Sequence, residues 1–552
     1  MTKVLLTDNM AQRLQALAVP GAYYEKGEGY LLDTETTTPR AAAVACQLFP
    51  EATVRAPELV ALRDQLVQDI RPFDNATPFD SPIGAERIRA RLREEDKDLF
   101  HFQELDLGYA EQVMYQHKAM YIGWERGLGK TIGTLALLDQ IDARRVLIVC
   151  PNTAKSSVWL PELQHYMKDQ FLHIEALPND QRKRNKVLSW MREWKRRGDA
   201  FVVIANYEQL RIIGETSAEW KKYGQFDVVV ADEAHRIKNP KAKMTRAIKK
   251  IDTRYKLLLS GSIISNHAEE LFSPLQFMFP DRYRSKWRDW NDRYIDYVEG
   301  GWSKIAVGVK LERLQELRAE LGVFMVYRRK QDELDLPDRT EEWLPVALTP
   351  SQREVYDELA NTCVAELESG AKVAATDGLV MLTKLRQVAT GLELFDDTVT
   401  DSSKLDLAVE IIEDNEDEAF VVFSWYKAAA RAMADRLERA GVATYCVDGD
   451  VPQSTRAAFI DAFQSGEKRV FVGTIATMGE SVNLYRANNA IFLDRSWNPS
   501  DNLQAADRIY RIGQTLPVTI THIYAQDTVD EFRVTPQIKN KEALRAMILG
   551  GS

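Results

Sequence analysis

Short apolar runs separated by longer amphipathic stretches recur in two series along the 552-residue chain. The first series is Ala119–Ile122, Val146–Cys150, Phe201–Ala205, Val228–Ala231 and Lys256–Leu259. None alternates polar with apolar residues, so each reads as a strand buried on both faces, and the amphipathic stretches between them read as crossover helices of a parallel sheet. The second series follows the acidic stretch Glu413–Glu418 and comprises Phe420–Ser424, Thr444–Val447, Arg469–Gly473, Ala490–Leu493 and Val518–Tyr524. The pattern therefore predicts two α/β lobes, over residues 96–280 and 396–527. Between them, Asp281–Thr340 is rich in Trp, Tyr and Arg, and Pro350–Leu394 is helical in period. No strand series shows there, and 281–395 is read as a helical insertion and linker.

Residues 1–95 are read as a small α+β accessory module. It has an amphipathic stretch at Met10–Ala18, a hairpin running from Tyr23 to Leu32, and a helix at Arg40–Leu48 opened by Thr38-Pro39 as N-cap and first helical residue. Residues 528–552 read as a closing helix.

Composition narrows the class. Hydrophobic residues at 45% and charged residues at 28% are those of a packed globular chain and exclude a disordered one. The four cysteines, Cys46, Cys150, Cys363 and Cys446, have no paired spacing, which speaks against zinc and against a disulfide framework. The apolar stretch at the start is too short for a signal peptide and no run is long enough to span a bilayer, so a cytoplasmic protein is expected. A net charge of −10 argues against a passive coat on a polyanion. Local basic clusters nonetheless occur at Arg182–Lys186, Arg192–Arg197, Arg236–Lys256 and Arg282–Arg293, each taken singly most simply a solvated face.

Chemistry enters at the ends of the strands. Gly127-Leu128-Gly129-Lys130-Thr131 follows the first strand and opens a helix. Glycines there let backbone N–H groups approach phosphates, Lys130 neutralises the outer ones, and the Thr131 hydroxyl reaches magnesium. Trp124 stands where the strict pattern has glycine. A hundred residues on, the strand ending at Ala231 runs into Asp232-Glu233-Ala234-His235. Two carboxylates at the carboxyl edge of such a sheet suit magnesium holding by Asp232 and orientation of an attacking water by Glu233. In the second lobe, the run Gln504 to Gln514 carries Arg508 and Arg511, three apart and expected on one helix face, where they can stabilise charge on a transferred phosphoryl group.

These motifs, with Lys384-Leu385-Arg386-Gln387, Val421-Val422-Phe423-Ser424 and Phe492–Pro499, occur in the order seen in Swi/Snf-type ATPases of helicase superfamily two, which the chain resembles over about residues 96–535. The resemblance implies two RecA-like lobes, ATP and Mg2+ as cofactors, and translocation on double-stranded or branched DNA. It gives Gln103 and Gln504 nucleotide-binding roles, and makes Asn206-Tyr207-Glu208 and Thr474 similar to elements that touch DNA or couple it to ATP. The first module is similar to one that precedes the motor in annealing-helicase relatives. Two departures stand out: Gly261-Ser262-Ile263-Ile264 keeps a hydroxyl but lacks the usual proline, and Met478-Gly479-Glu480-Ser481-Val482-Asn483-Leu484 has two of the usual glycines replaced. Because Asp-Glu-Ala-His also occurs in RNA helicases, an RNA-directed remodeller is the alternative. A binding protein with a vestigial ATPase core is the rival from another class.

Overall fold

The computed structural model describes residues 3–7, 22–25, 29–33, 42, 45–46 and 57–69, and residues 83–549 apart from 215, 263–267, 285–286, 301–302, 368–371, 375–377 and 479–482. The chain divides into two compact units, one of residues 68–297, 306–334 and 544–552, the other of residues 1–67, 298–305 and 335–543. No helix among the described residues is long and apolar enough to cross a membrane.

At the N-terminus Lys3–Thr7 (β1), Ala22–Glu25 (β2) and Gly29–Asp33 (β3) make an antiparallel sheet in the order β1-β3-β2. The expected hairpin is β2–β3. Strand β1 is the short apolar stretch near the start, too brief for a period to show. The stretch Met10–Ala18 and most of Arg40–Leu48 lie outside the described residues.

The first large sheet contains Ala119–Trp124 (β4), Arg145–Cys150 (β5), His173–Ala176 (β6), Phe201–Asn206 (β7), Phe226–Asp232 (β8) and Thr253–Leu259 (β9). After a two-stranded sheet of Ile295–Gly300 (β10) and Ser303–Val309 (β11), the chain adds Met325–Arg328 (β12) to it. The order is β12-β4-β9-β8-β5-β7-β6, and every pairing is parallel. Strand β4 is buried throughout, as a parallel strand covered on both faces must be. Because all strands run the same way, their carboxyl ends form one edge, where the loops after β4, β8 and β9 meet.

The second sheet takes Arg339–Val346 (β13) and, beyond the short hairpin Val364–Glu366 (β14) and Lys372–Ala374 (β15), Phe420–Ser424 (β16), Thr444–Val447 (β17), Val470–Thr474 (β18), Asn489–Phe492 (β19) and Val518–Ala525 (β20). Its order is β13-β20-β19-β16-β18-β17, also parallel. Successive side chains go to opposite faces: Val421, Phe423, Phe471 and Phe492 join one core, and Phe420, Val422, Val470 and Ile491 the other. Helices Pro350–Thr362 and Gly378–Thr390 pack around Tyr356, Leu359, Leu385 and Val388, in keeping with the helical period there.

The segment 281–340, expected without strands, departs from that reading. It contains β10, β11, β12 and the start of β13, and the β14–β15 hairpin interrupts the stretch that follows, Pro350–Leu394, which was also expected without strands. Strand β12 is four residues long, too short to carry a periodic signal. Strand β13 is an edge strand with a largely solvated side, so Arg339-Thr340-Glu341-Glu342 reads as polar loop although it pairs along its length with β20. The closing helix is present as Thr535–Leu549.

Candidate active site

The loop after β4 turns sharply at Gly127 (φ 89°) and Gly129 (φ 74°), left-handed conformations that L side chains rarely adopt. A Cβ at Gly129 would lie 2.5 Å from Gln103 Nε2. The turn delivers the chain into helix Lys130–Gln140, whose first amides have no intrahelical partner and point into the loop. Lys130 Nζ donates to the carbonyls of Trp124 (2.9 Å) and Glu125 (3.2 Å), and burial pulls its pKa below the usual lysine value against the pull of Glu233. Gln103 is buried, donates to the Leu128 carbonyl at 2.9 Å and accepts from the Phe100 amide at 2.9 Å, so it fastens the loop from beneath.

Trp124 explains its own departure from the glycine pattern. It ends β4 with its ring in the core, donating to Asp106 Oδ2 at 2.8 Å. A Cβ on Gly133 would come within 2.7 Å of the indole, so the small residue one turn into the helix makes room for the large one before the loop. Asp106, fully buried, is also held by Arg328 of β12 through bonds of 3.0 and 2.7 Å.

Strand β8 ends at Asp232, and Glu233 follows in the left-handed region at φ 51°, ψ 53°. A non-glycine residue there stores of order 1–3 kcal/mol of strain, a cost associated with functional sites. The two carboxylates titrate apart. Burial, reinforced by the neighbouring Glu233 charge, pushes Asp232 up to about 6, against the Trp159 hydrogen bond and Lys130. Burial would raise Glu233 too, but Arg126, His235 and Lys130 together hold it well below the ordinary carboxylate value. Arg126 Nη2 lies 3.4 Å and His235 Nδ1 3.3 Å from its carboxylate oxygens.

Three supports converge from other elements. Trp159, at the end of the π-helical turn Lys155–Trp159, donates Nε1–H to Asp232 Oδ2 at 2.9 Å. Tyr207, fully buried, donates to the Asp232 carbonyl at 2.6 Å, so this residue of the Asn206-Tyr207-Glu208 run braces the carboxylate pair from inside the core. His235 Nδ1 sits 3.1 Å from Ser260 Oγ and 3.2 Å from Ser262 Oγ, which ties the segment after β8 to the one after β9. Gly261 lies against the phosphate loop, where a Cβ would meet the Trp124 carbonyl at 3.1 Å. Ser262 thus keeps the hydroxyl in use; Ile263 and Ile264 lie outside the described residues.

The structure brings Gln103, Gly127, Leu128, Gly129, Lys130, Thr131, Asp232 and Glu233 to the carboxyl edge of one sheet. Arg126 and Trp159 were not singled out in the sequence. Arg126 sits inside the motif at a position the pattern leaves free, and an indole 73 residues from its acceptor leaves no local trace.

In the second unit the expectation of a shared helix face for Arg508 and Arg511 is corrected. Helix Pro499–Ala506 carries Gln504 but ends before both arginines, which lie in the turns that follow. The Arg508 carbonyl accepts from the Leu484 amide at 2.9 Å and the Ile509 carbonyl from Gln514 Nε2 at 3.2 Å, so these oxygens are used by the loop and by a glutamine in place of a next helical turn. Burial lowers the pKa of Arg511, which bonds Asn483. Thr474 closes β18 with its hydroxyl on Thr477 at 2.7 Å. Asp494, accepting from Ser424 Oγ at 2.7 Å, joins two of the second-lobe motifs, while Arg386 donates to the Arg495 carbonyl at 2.5 Å and stacks 4.7 Å from the Trp497 ring. Residues 479–482, where the glycines are replaced, lie outside the described residues.

The SNF2-related domain matches residues 101–394, and the Helicase conserved C-terminal domain matches residues 403–513. The chain is similar to human "SWI/SNF-related matrix-associated actin-dependent regulator of chromatin subfamily A member 1", 28% identical over 77% of this chain and 41% of that protein. It is also similar to "DNA excision repair protein CSB" of Oryza sativa, 26% identical over 78% of this chain and 40% of that one. It thus spans about two fifths of the length of these curated relatives. A solved structure, "Sulfolobus solfataricus SWI2/SNF2 ATPase core in complex with dsDNA", is 24% identical, covers 82% of this chain and 97% of that chain, and gives a TM-score of 0.39. With the SNF2-related model covering more than half its length and the helicase C-terminal model following directly, this chain belongs to the Swi/Snf-type ATPases of superfamily two, and its two parallel sheets are their RecA-like lobes.

Proposed function

We propose that this protein is an ATP hydrolase stimulated by duplex DNA, which it tracks along to remodel forks, branches or protein–DNA complexes. The observation that carries the proposal is the meeting of Lys130, Arg126 and the split carboxylate pair at one sheet edge, within an SNF2-related domain. The loop amides and Lys130 bind the triphosphate, and Gln103, assigned to the base, holds the loop. Thr131 and Asp232 fit a magnesium ion: a hydroxyl and one carboxylate are the sparse protein set that ion takes alongside phosphate oxygens and water. When bound, it neutralises charge on the phosphates. Glu233, kept ionised by Arg126 and His235, orients the attacking water and accepts its proton. His235 passes the state of Glu233 to Ser260 and Ser262. Arg508 and Arg511 are assigned the stabilisation of charge on the transferred phosphoryl group, and Gln504 contact with the nucleotide.

The DNA assignment is supported by family membership and by relatives named for chromatin regulation and DNA excision repair. The test is steady-state ATP turnover with duplex DNA, single-stranded DNA and RNA. Stimulation greatest with duplex is expected. Stimulation by RNA alone would move the protein to the RNA-directed reading, and no turnover under any condition would make the core vestigial.

A further inference from the structure

Two basic clusters in the sequence, Arg236–Lys256 and Arg282–Arg293, take no part in the nucleotide site just described, yet the fold brings them together. A cavity of about 370 Å³ in the seven-stranded lobe is lined by Arg246, Lys249, Lys250, Lys256 and Arg284, with Asp281 as the one lining carboxylate. Lys256 pairs in register with Ala119, the first residue of β4, whereas the phosphate loop leaves the other end of that strand. At about 3.3 Å per residue the cavity floor is roughly 17 Å of strand from that loop.

The inner lysines are held by neutral groups. Lys249 Nζ donates to Ser273 Oγ (3.1 Å) and Gln276 Oε1 (2.7 Å), and Lys256 Nζ to the Met278 carbonyl (3.4 Å). Burial depresses both ammonium groups to about 8. Among the described residues none of the five cations forms an ion pair with a carboxylate. Arg246, Lys250 and Arg284 stand exposed at the rim. Five like charges around one hollow repel each other, and an anion placed among them relieves that repulsion.

We infer that this cavity seats backbone phosphates of a nucleic acid, as a second contact separate from the ATP loop and independent of base sequence; the inference rests on the DNA-directed reading above. The lining chemistry selects this occupant. Its donors are ammonium and guanidinium groups on long stems, which suit a chain of phosphodiesters, and they continue from floor to rim as a repeating polyanion requires. The lining ring, Phe277, is only 2% exposed, so it offers neither a stacking platform for a base nor the apolar anchor by which an acidic peptide is usually held.

The test measures duplex-DNA affinity of the full chain over a salt series for two variants, the rim triple Arg246→Gln, Lys250→Gln, Arg284→Gln and the floor double Lys249→Gln, Lys256→Gln. DNA-free ATP turnover serves as the control for folding. Each lost phosphate contact removes about 0.9 from the slope of log affinity against log salt. The rim triple is expected to lower that slope by about 1 to 3 and weaken binding at low salt by at least about tenfold, with DNA-free turnover unchanged. An unchanged slope and affinity in both variants overturns the inference. So does loss of poly-glutamate binding with DNA binding intact, which reassigns the cavity to an acidic protein partner. If the parent chain itself fails to bind DNA, the DNA-directed reading fails and takes this inference with it; a parent that binds while its variants bind equally well refutes the cavity alone.

Discussion

Trp159 holds its indole N–H 2.9 Å from Asp232 Oδ2, in a position that opposes the upward pull of burial on that carboxyl group. A hydrogen bond to a charged group contributes about 1.5–3 kcal/mol, or roughly one to two decades in rate if it is needed through the reaction. Trp159→Phe keeps most of the packing and removes the donor. Its ATP turnover is therefore expected to fall about tenfold or more while its thermal midpoint stays close to the parent's. Turnover within about twofold would show that the indole only fills space. At this scale the sequence was informative about placement where a motif has fixed spacing, as for Gly127, Gly129, Lys130, Asp232 and Glu233, which the fold sets at one sheet edge. It was silent on Arg126, Trp159 and the brace from Tyr207, whose partners lie across the sheet and obey no local pattern.

At the scale of elements, strands β4, β5, β7, β8 and β9 were readable from the apolar run within each, which burial on both faces keeps free of polar residues. Strands β12 and β13 were not, the one being short and the other an edge strand whose free side tolerates charge. Beside β13 in the sheet, His522 of β20 packs between the rings of Trp343 at 4.4 Å and Phe492 at 5.0 Å. Burial lowers its pKa from 6.5 to about 4, outweighing Glu341, whose carboxylate is 3.7 Å away; Arg495 and Arg339 push the same way as burial. As pH falls below 6.5 the unfolded chain gains this proton first, so the fold loses stability down to about 4 and no further from this group. The full effect approaches about 3 kcal/mol. His522→Gln is expected to flatten the dependence of the urea midpoint on pH between 6.5 and 4 relative to the parent. Parallel curves for the two proteins would mean that His522 is protonated in the fold. The Arg508–Arg511 segment teaches the converse lesson. A spacing of three suggested a helix face, yet the helix stops at Ala506, where the Arg508 and Ile509 amides bond only three residues back, to Ala505 and Ala506, and the Arg508 and Ile509 oxygens then go to Leu484 and Gln514.

Across the whole molecule the net charge of −10 coexists with cations gathered in the hollow of one lobe. Net charge therefore speaks to solubility, and the distribution of charge speaks to binding. The two-lobe organisation was legible from two repeated strand series, and the family from motifs strung in order along them. The central claim is that Glu233 activates water at a phosphate loop it shares with Lys130. The most direct measurement is phosphate release by Glu233→Gln in the presence of duplex DNA, together with its affinity for ATP. Loss of a general base costs about two to four decades. The account predicts a fall of at least about a hundredfold in turnover with ATP affinity within a few fold of the parent. Turnover near the parent rate would contradict it.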